Sequence, residues 1–351
     1  MDHHHTTTTA AANGDDPSTV AYTLLAKLHN VRPLVQLLKA ISFRKQTQCV
    51  ITHRGIKFSV EDARSVQAHA YLQRQFFQEF RFGRPVGRRD PTTTTAMLAA
   101  TDGEQSDGLP MDEDFEMVFT LDLNVLIQCL TIFSTTGVGQ NSTGSGGMGD
   151  LAPVGAGGGS SGGGLGPGGA AGSRYKSYTS LGWVVNERGS EVEFVLEENE
   201  VISVCKLVTF EAEDMVDFQF QHHPIRHRLI IKSEVLRDAL TELDSTSDKI
   251  TFNFSPQAPH LRISTFGMSG STEVNFSRDS DVIESFHAAA TEHFSYRHSQ
   301  VQHALNALAF STKTSIRINE MGSLSMQFMI QADRGDACFV ELLCLPLVPI
   351  E

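Results

Sequence analysis

Short runs in which apolar and polar residues alternate dominate this chain, and each reads as a half-buried β-strand. In the first half they are "AYTLLAKL", "QCVITH", "GIKFSV", "FFQEFRF", "FEMVFTL", "SLGWVVN", "EVEFVLEEN" and "VISVCKLVTF". The second half carries "RHRLIIK", "KITFNFS", "HLRISTF", "STEVNF", "EHFSYRH", "TSIRINE", "SLSMQFMIQ" and "ACFVELLCL". β-Branched and aromatic residues fill the apolar positions, which suits a pleated surface.

Four segments switch to a helical period. In "HNVRPLVQLLKAI" (29–41), Val31, Leu34, Leu37, Leu38 and Ile41 fall on one side and Arg32, Gln36 and Lys39 on the other, at about 100° per residue. Asn30 suits an N-cap, and Pro33 fits the first turn, where its missing N–H costs nothing. The others are "LNVLIQCLTIF" (123–133), "SEVLRDALTEL" (233–243) and "SQVQHALNAL" (299–308), with Ser233 and Ser299 expected as N-caps. Their polar stripes, all at i, i+4, i+7, are Asn124/Gln128/Thr131, Glu234/Asp238/Thr241 and Ser299/His303/Asn306. A solvated outer face explains any one such stripe; four of them in one chain ask for more.

Order adds a second signal. Each half begins with a strand, a helix and a strand-turn-strand unit, and later adds another helix and three strands, so the chain reads as a diverged tandem duplication. The join falls in the acidic segment "FEAEDMVDFQFQHH", 210–223. The expected organisation is a tail at 1–18, a first domain at 19–209, a connector at 210–223 and a second domain at 224–351.

Composition narrows the class. With 351 residues and 40% hydrophobic content the chain can build two cores. Residues 1–18, 84–113 and 135–174 are polar or Gly-rich low-complexity stretches, expected as a disordered tail and two disordered inserts in a folded frame. "GSGGMG" (144–149) matches a dinucleotide fingerprint only formally, since neither a strand precedes it nor a helix follows. No run approaches the length of a membrane span, which points to a soluble intracellular protein. The five cysteines, Cys49, Cys129, Cys205, Cys338 and Cys344, are scattered and form no C-x-x-C pair, as expected of reduced thiols in cytosol or nucleus. A net charge of −13 argues against a general nucleic-acid coat, though not against a local basic surface.

The blocks "NVRPLVQLLKAISF", "GIKFSVEDARSVQAHAYL", "FFQEF", "HLRISTFG", "KTSIRINEMGSLSMQFMI" and "CFVELLC", in this order and spacing, resemble the Rad-one family of checkpoint sliding-clamp subunits. That family supplies one chain of the heterotrimeric nine-one-one ring and is itself related to proliferating-cell nuclear antigen. The resemblance implies an α+β sliding-clamp fold: two similar β-rich domains, sheets outside, four short helices lining a bore for duplex DNA. It further implies a nuclear protein with two other clamp subunits (nine-type and Hus-type), an ATP-dependent loader, repair and checkpoint proteins as partners, no membrane, and no cofactor or metal of its own.

On this reading the DNA-facing candidates are Arg32, Gln36, Lys39, Asn124, Gln128, Arg237 and His303. Arg32 and Lys39 suit non-specific phosphate contacts, whereas Glu234, Asp238 and Glu242 around Arg237 make the third helix repulsive and the second is uncharged. Subunit edges are expected at Ile202, Val204, Lys206 and Val208, and at Thr272, Val274 and Phe276. The segment with Phe210, Met215, Phe218 and Phe220 resembles the interdomain connector where clamp partners dock, with a solvated linker as an equally cheap explanation.

An enzyme is the competing class, because a metal-dependent 3′–5′ exonuclease has been suggested for the family. Such chemistry needs carboxylates converging on two metal ions. The acidic runs Asp112, Glu113, Asp114, Glu116 and Glu211, Glu213, Asp214 read as solvated loop charge, and His222, His223 and His227 lack a matching carboxylate. No nucleophile elbow or H-E-x-x-H helix occurs, so no catalytic residue is expected.

Overall fold

The computed structural model describes residues 22–83, 115–133, 178–186, 191–268, 270–332 and 336–347. The expected tail, both inserts, the "GSGGMG" match and the carboxylates Asp112, Glu113 and Asp114 lie outside the described residues.

The first run of elements is β1 (Tyr22–Leu28), α1 (Arg32–Ala40), β2 (Gln46–Thr52), β3 (Gly55–Asp62), β4 (Val66–Gln73), β5 (Glu79–Phe82), β6 (Met117–Asp122), α2 (Leu123–Leu130), β7 (Ser180–Asn186), β8 (Glu191–Glu198) and β9 (Val201–Val208). The second is β10 (Ile225–Lys232), α3 (Ser233–Glu242), β11 (Lys249–Phe254), β12 (Leu261–Gly267), β13 (Gly270–Phe276), β14 (Ile283–Ala288), β15 (Glu292–Arg297), α4 (His298–Val301), α5 (Ala304–Leu308), β16 (Ser311–Asn319), β17 (Leu324–Gln331) and β18 (Ala337–Cys344). Both runs follow one order: a strand, a helix, five strands, a helical segment, three strands.

Three antiparallel sheets result: β5-β1-β7-β8-β9, β13-β12-β11-β15, and a nine-stranded sheet β14-β10-β16-β17-β18-β4-β3-β2-β6. The long sheet joins the two runs where β18 pairs with β4, from Phe339 opposite Tyr71 to Cys344 opposite Val66. The sequence pattern does not pick out β4 because alanine is a weak strand former. Its inner row, Val66, Ala68, Ala70 and Leu72, is nonetheless buried, and β3 and β18 satisfy its backbone on both sides. Tertiary pairing overrides propensity there. β14, at the far end of the long sheet, is likewise invisible in the pattern.

Aromatic contacts tie the smaller sheets to the long one: Trp183 of β7 stacks on Phe58 of β3 at 5.9 Å between centroids, and Phe254 of β11 on His227 of β10 at 5.0 Å. The helices pack on the buried face in the row α2, α1, α5, α3, each touching the next. Leu34, Leu37, Leu38 and Ile41 seat α1, each at most 1% exposed, and each contributes about 1.5–3 kcal/mol by burial.

Helix ends depart from expectation in three places. Asn30 Oδ1 accepts the N–H of Arg32 at 2.9 Å, but the N-cap position itself is Val31. Ser233 is no cap either; it is fully buried, and its hydroxyl lies 2.8 Å from those of Thr314 and Ser311, pinning α3 to β16. The expected helix at 299–308 is two short pieces capped by Arg297 and His303 rather than Ser299. On α2, Asp122 caps the helix by accepting the N–H of Val125 at 3.0 Å.

Candidate functional site

The row of helices leaves one polar face in solvent. Arg32 and Lys39 stand exposed on α1 with no ion-pair partner among the described residues, and Gln36 lies half-buried between them. Seven residues of helix separate the two cations by about 10 Å along the axis. Asn124 and Gln128 are exposed on the neighbouring α2. On α3, Arg237 is exposed but lies 3.2 Å from Asp238, with Glu234 and Glu242 beside it, so this face is net acidic. His303 is half-buried and stacked on Phe43 at 4.2 Å, and burial pushes its pKa down despite the opposing pull of Asp62. Its imidazole is thus neutral near pH 7 and fills the joint between the two runs.

Among the described residues both expected contact strands stand at sheet edges, β9 with only β8 beside it and β13 with only β12. Their side chains differ. Ile202, Val204 and Val208 of β9 are 63%, 53% and 60% exposed, interrupted by exposed Lys206, which pairs with Glu193 at 3.3 Å. On β13, Phe276 is buried, and Thr272 and Val274 turn inward and are half-buried. The outward row is Ser271, Glu273 and Asn275, because side chains alternate along a strand.

The connector is strapped to the outer face of the long sheet rather than solvated throughout. Phe210 and Thr120 exchange both backbone hydrogen bonds, at 2.8 and 2.9 Å. Gln48 donates to the Glu213 carbonyl at 3.0 Å, and Gln67 to the Val216 carbonyl at 2.5 Å. Glu61 accepts from Val216 N–H at 3.0 Å and from Gln67 at 2.6 Å. Phe220 anchors the far end: it is buried, with the Arg317 guanidinium 5.3 Å above its ring and Arg317 in turn paired with Glu341 at 2.8 Å. Phe220 is therefore an anchor rather than a docking residue, whereas Phe210 is 48% exposed and Met215 and Phe218 are half-buried. Sequence reasoning missed Glu61, Gln67 and Arg317, since nothing local marks a side chain that ties down a segment more than ninety residues away.

Cavities flank this strap. One of about 410 Å³ lies between Met215, Phe218 and the β3–β4 side chains Lys57, His69 and Tyr71. Another of about 590 Å³ opens further along the same sheet face over Val50, Ile56, Tyr71 and Phe339. Burial, with a smaller push from Lys57, lowers the His69 pKa to about 4, so it is neutral as well.

Comparison with known proteins gives this geometry a family. Residues 23–330 match the family model described as Repair protein Rad1/Rec1/Rad17. The chain belongs to this family. Among Rad1-family relatives, the human cell cycle checkpoint protein RAD1 is 34% identical, over 93% of this chain and 92% of its own length. The Schizosaccharomyces pombe DNA damage checkpoint control protein rad1 is 29% identical, over 90% and 84%. The more distant DNA repair exonuclease REC1 of Mycosarcoma maydis is 23% identical over 90% and 89%. A solved structure of PCNA from Thermococcus kodakaraensis superposes with a TM-score of 0.59 over 93% of this chain and 100% of that one, at 13% identity. This Rad1-family chain therefore has the sliding-clamp fold.

Chemistry at the site is that of surfaces. Among the described residues no group of three or more His, Cys, Asp or Glu could hold a metal ion. Glu211, Glu213 and Asp214 lie along the connector, and two of the histidines expected to lack a carboxylate have one brought from a distant strand or turn: buried His227 lies 2.6 Å from Glu292 and His223 3.1 Å from Glu320. Among the same residues no helix is long and apolar enough to cross a membrane.

Proposed function

We propose that this chain is one subunit of a heterotrimeric ring clamp, loaded around DNA at damage sites in the nucleus, where it serves as a scaffold for checkpoint and repair proteins. The observation that carries the reading is the continuous helix row with Arg32 and Lys39 unpaired on its open face. Phosphates would meet Arg32, Gln36 and Lys39 first, Asn124 and Gln128 next, and Arg237 least, through contacts without sequence preference. Residues 19–209 and 224–351 act as the two clamp domains, and 210–223 as their connector. Strands β9 and β13 pair with the nine-type and Hus-type subunits, an ATP-dependent loader opens the ring, and the connector face from Phe210 to Phe218 receives further partners, as does the hollow over Val50 and Phe339. The chain itself acts through topology and needs no cofactor.

The test is retention of the co-expressed trimer on DNA. Ring that stays on nicked circles but runs off once they are linearised supports encirclement, and equal retention on both forms rejects it. The name of the REC1 relative keeps a metal-dependent exonuclease as the second reading. That reading requires DNA degradation by the trimer that disappears in the Asp112→Asn/Asp114→Asn variant.

A further inference from the structure

The two sheet edges proposed as ring contacts are built from different chemistry. Along β9 the outward row of Ile202, Val204 and Val208 continues into Phe210, all about half exposed or more, with Lys206 as the only charge. An edge strand this apolar is an aggregation hazard unless something covers it. Elsewhere on the outer face of the same sheet, β8 shows Glu191, Glu193 and Glu197 around a half-buried Val195, and among the described residues the large apolar side chains that are exposed in this sheet are those of β9. The β13 edge is the opposite case. Ser271, Glu273 and Asn275 face outward, and Arg262 of β12 holds two of them, Asn275 at 3.0 Å and Glu273 at 3.6 Å. Two of its three outward side chains are thus already engaged within the chain, and a charge on the edge guards it against stray pairing. Phe266, 73% exposed, stands on the same face directly across from Ser271, with exposed Met268 at the adjoining hairpin tip, so the apolar side chains of this edge are gathered at one end of an otherwise polar row.

We infer that this chain's two ring contacts are unequal by construction: β9 forms a permanent apolar contact with one neighbouring clamp subunit, and β13 forms a polar contact with the other that can be released. This rests on the clamp reading above. The occupant of β9 is a strand presenting aliphatic side chains on its outward row; the occupant of β13 presents a cation to Glu273. An apolar row and a carboxylate-bearing polar row complement each other poorly, and the one opposite pair they offer, Lys206 and Glu273, is already engaged within the chain by Glu193 and Arg262, which disfavours a homomeric ring closed by β9 on β13.

The experiment uses the full trimer with its two partner chains, followed by size-exclusion chromatography with light scattering at 0.1 and 1 M NaCl. High salt screens charge contacts and leaves apolar ones intact. The expected result is that 1 M NaCl releases one neighbour and leaves a binary complex, that Val204→Glu and Ile202→Glu each abolish that complex, and that Glu273→Lys spares it while weakening the other contact at least tenfold. An unchanged thermal melt of each isolated variant confirms that it is folded. The inference is overturned if the salt-resistant neighbour is lost in Glu273→Lys and kept in Val204→Glu, if both contacts respond equally to salt, or if the chain alone forms stable trimers. Failure of both partners to bind in any condition rejects the clamp reading itself, which is a different outcome from binding with equal salt response.

Discussion

Removing the two unpaired cations of α1 tests the orientation of the whole chain. The Arg32→Ala/Lys39→Ala variant removes the two phosphate contacts proposed for these side chains, and each neutralised phosphate accounts for about 0.9 in the slope of log affinity against log salt. The slope should therefore flatten by about 1.8. Between 50 and 200 mM salt, wild type should lose about tenfold more affinity than the variant over the same interval. Because such slopes add, the difference can be read in the intact trimer whatever the partner subunits contribute. Arg237→Ala serves as the internal comparison: its guanidinium is already held by Asp238 at 3.2 Å, so its slope change should be well under half that of a single α1 cation. Suitable assays are fluorescence anisotropy with duplex DNA or retention on nicked circles across a salt series. An unchanged slope in the double variant would falsify the placement of α1 against DNA.

Three further outcomes follow from the packing around the connector. Glu341→Gln strands the guanidinium of Arg317, whose pair has side chains only 14% and 10% exposed, and should cost about 3 kcal/mol, a drop in melting temperature of about 6–12 °C by calorimetry; a loss below about 1 kcal/mol would show that the pair is not what holds Arg317. His69, held at about 4 against an ordinary 6.5, binds its proton more readily in the unfolded chain, so its stabilisation is complete above pH 6.5 and is lost as pH falls toward 4. The full difference corresponds to about 3 kcal/mol, and solvent access to the half-buried ring reduces the expectation to about 1–2; His69→Gln should remove that part of the pH slope in denaturant titrations between pH 4 and 7. Phe220→Ala should free the end of the connector and speed limited proteolysis within 210–219, whereas Phe210→Ala, which removes an exposed ring, should leave the cleavage rate unchanged.

How much of this was legible in the sequence depends on how local the signal is. The amphipathic face of α1 is written in seven-residue spacing, and Arg32 and Lys39 emerge on the open side as that spacing requires. Ser233 looked like a helix cap because capping is judged from neighbours in sequence, but its hydroxyl is claimed by Ser311 and Thr314 some eighty residues away. His303 fell on a polar stripe and ended against Phe43, a contact between the two runs that no helical wheel contains. The same limit hid β4, whose alanines make sense only once α1 lies over them and β18 pairs alongside. In sequence the connector reads as a partner-docking segment or a solvated linker, and its strapping to the sheet is hidden for the same reason: Glu61, Gln67 and Gln48, which hold it down, belong to strands laid out long before it.

The charge on the helix faces bears on how such a subunit holds DNA. Across the exposed faces of α1, α2 and α3 the cations are Arg32, Lys39 and Arg237, and Glu234, Asp238 and Glu242 cancel them; α2 adds none, and His303 is neutral. A protein that holds DNA by affinity concentrates positive charge where the backbone passes, because release of counterions is what drives such binding. This chain instead balances its helix row, with attraction on α1 and repulsion on α3. If the proposed DNA-facing role of this row holds, the consequence is weak, short-lived contact along any one stretch of duplex, which permits sliding. On the proposed clamp reading, retention then has to come from closure of the ring rather than from the strength of the grip, and the edge contacts proposed at β9 and β13 should matter more than any single cation proposed to face DNA.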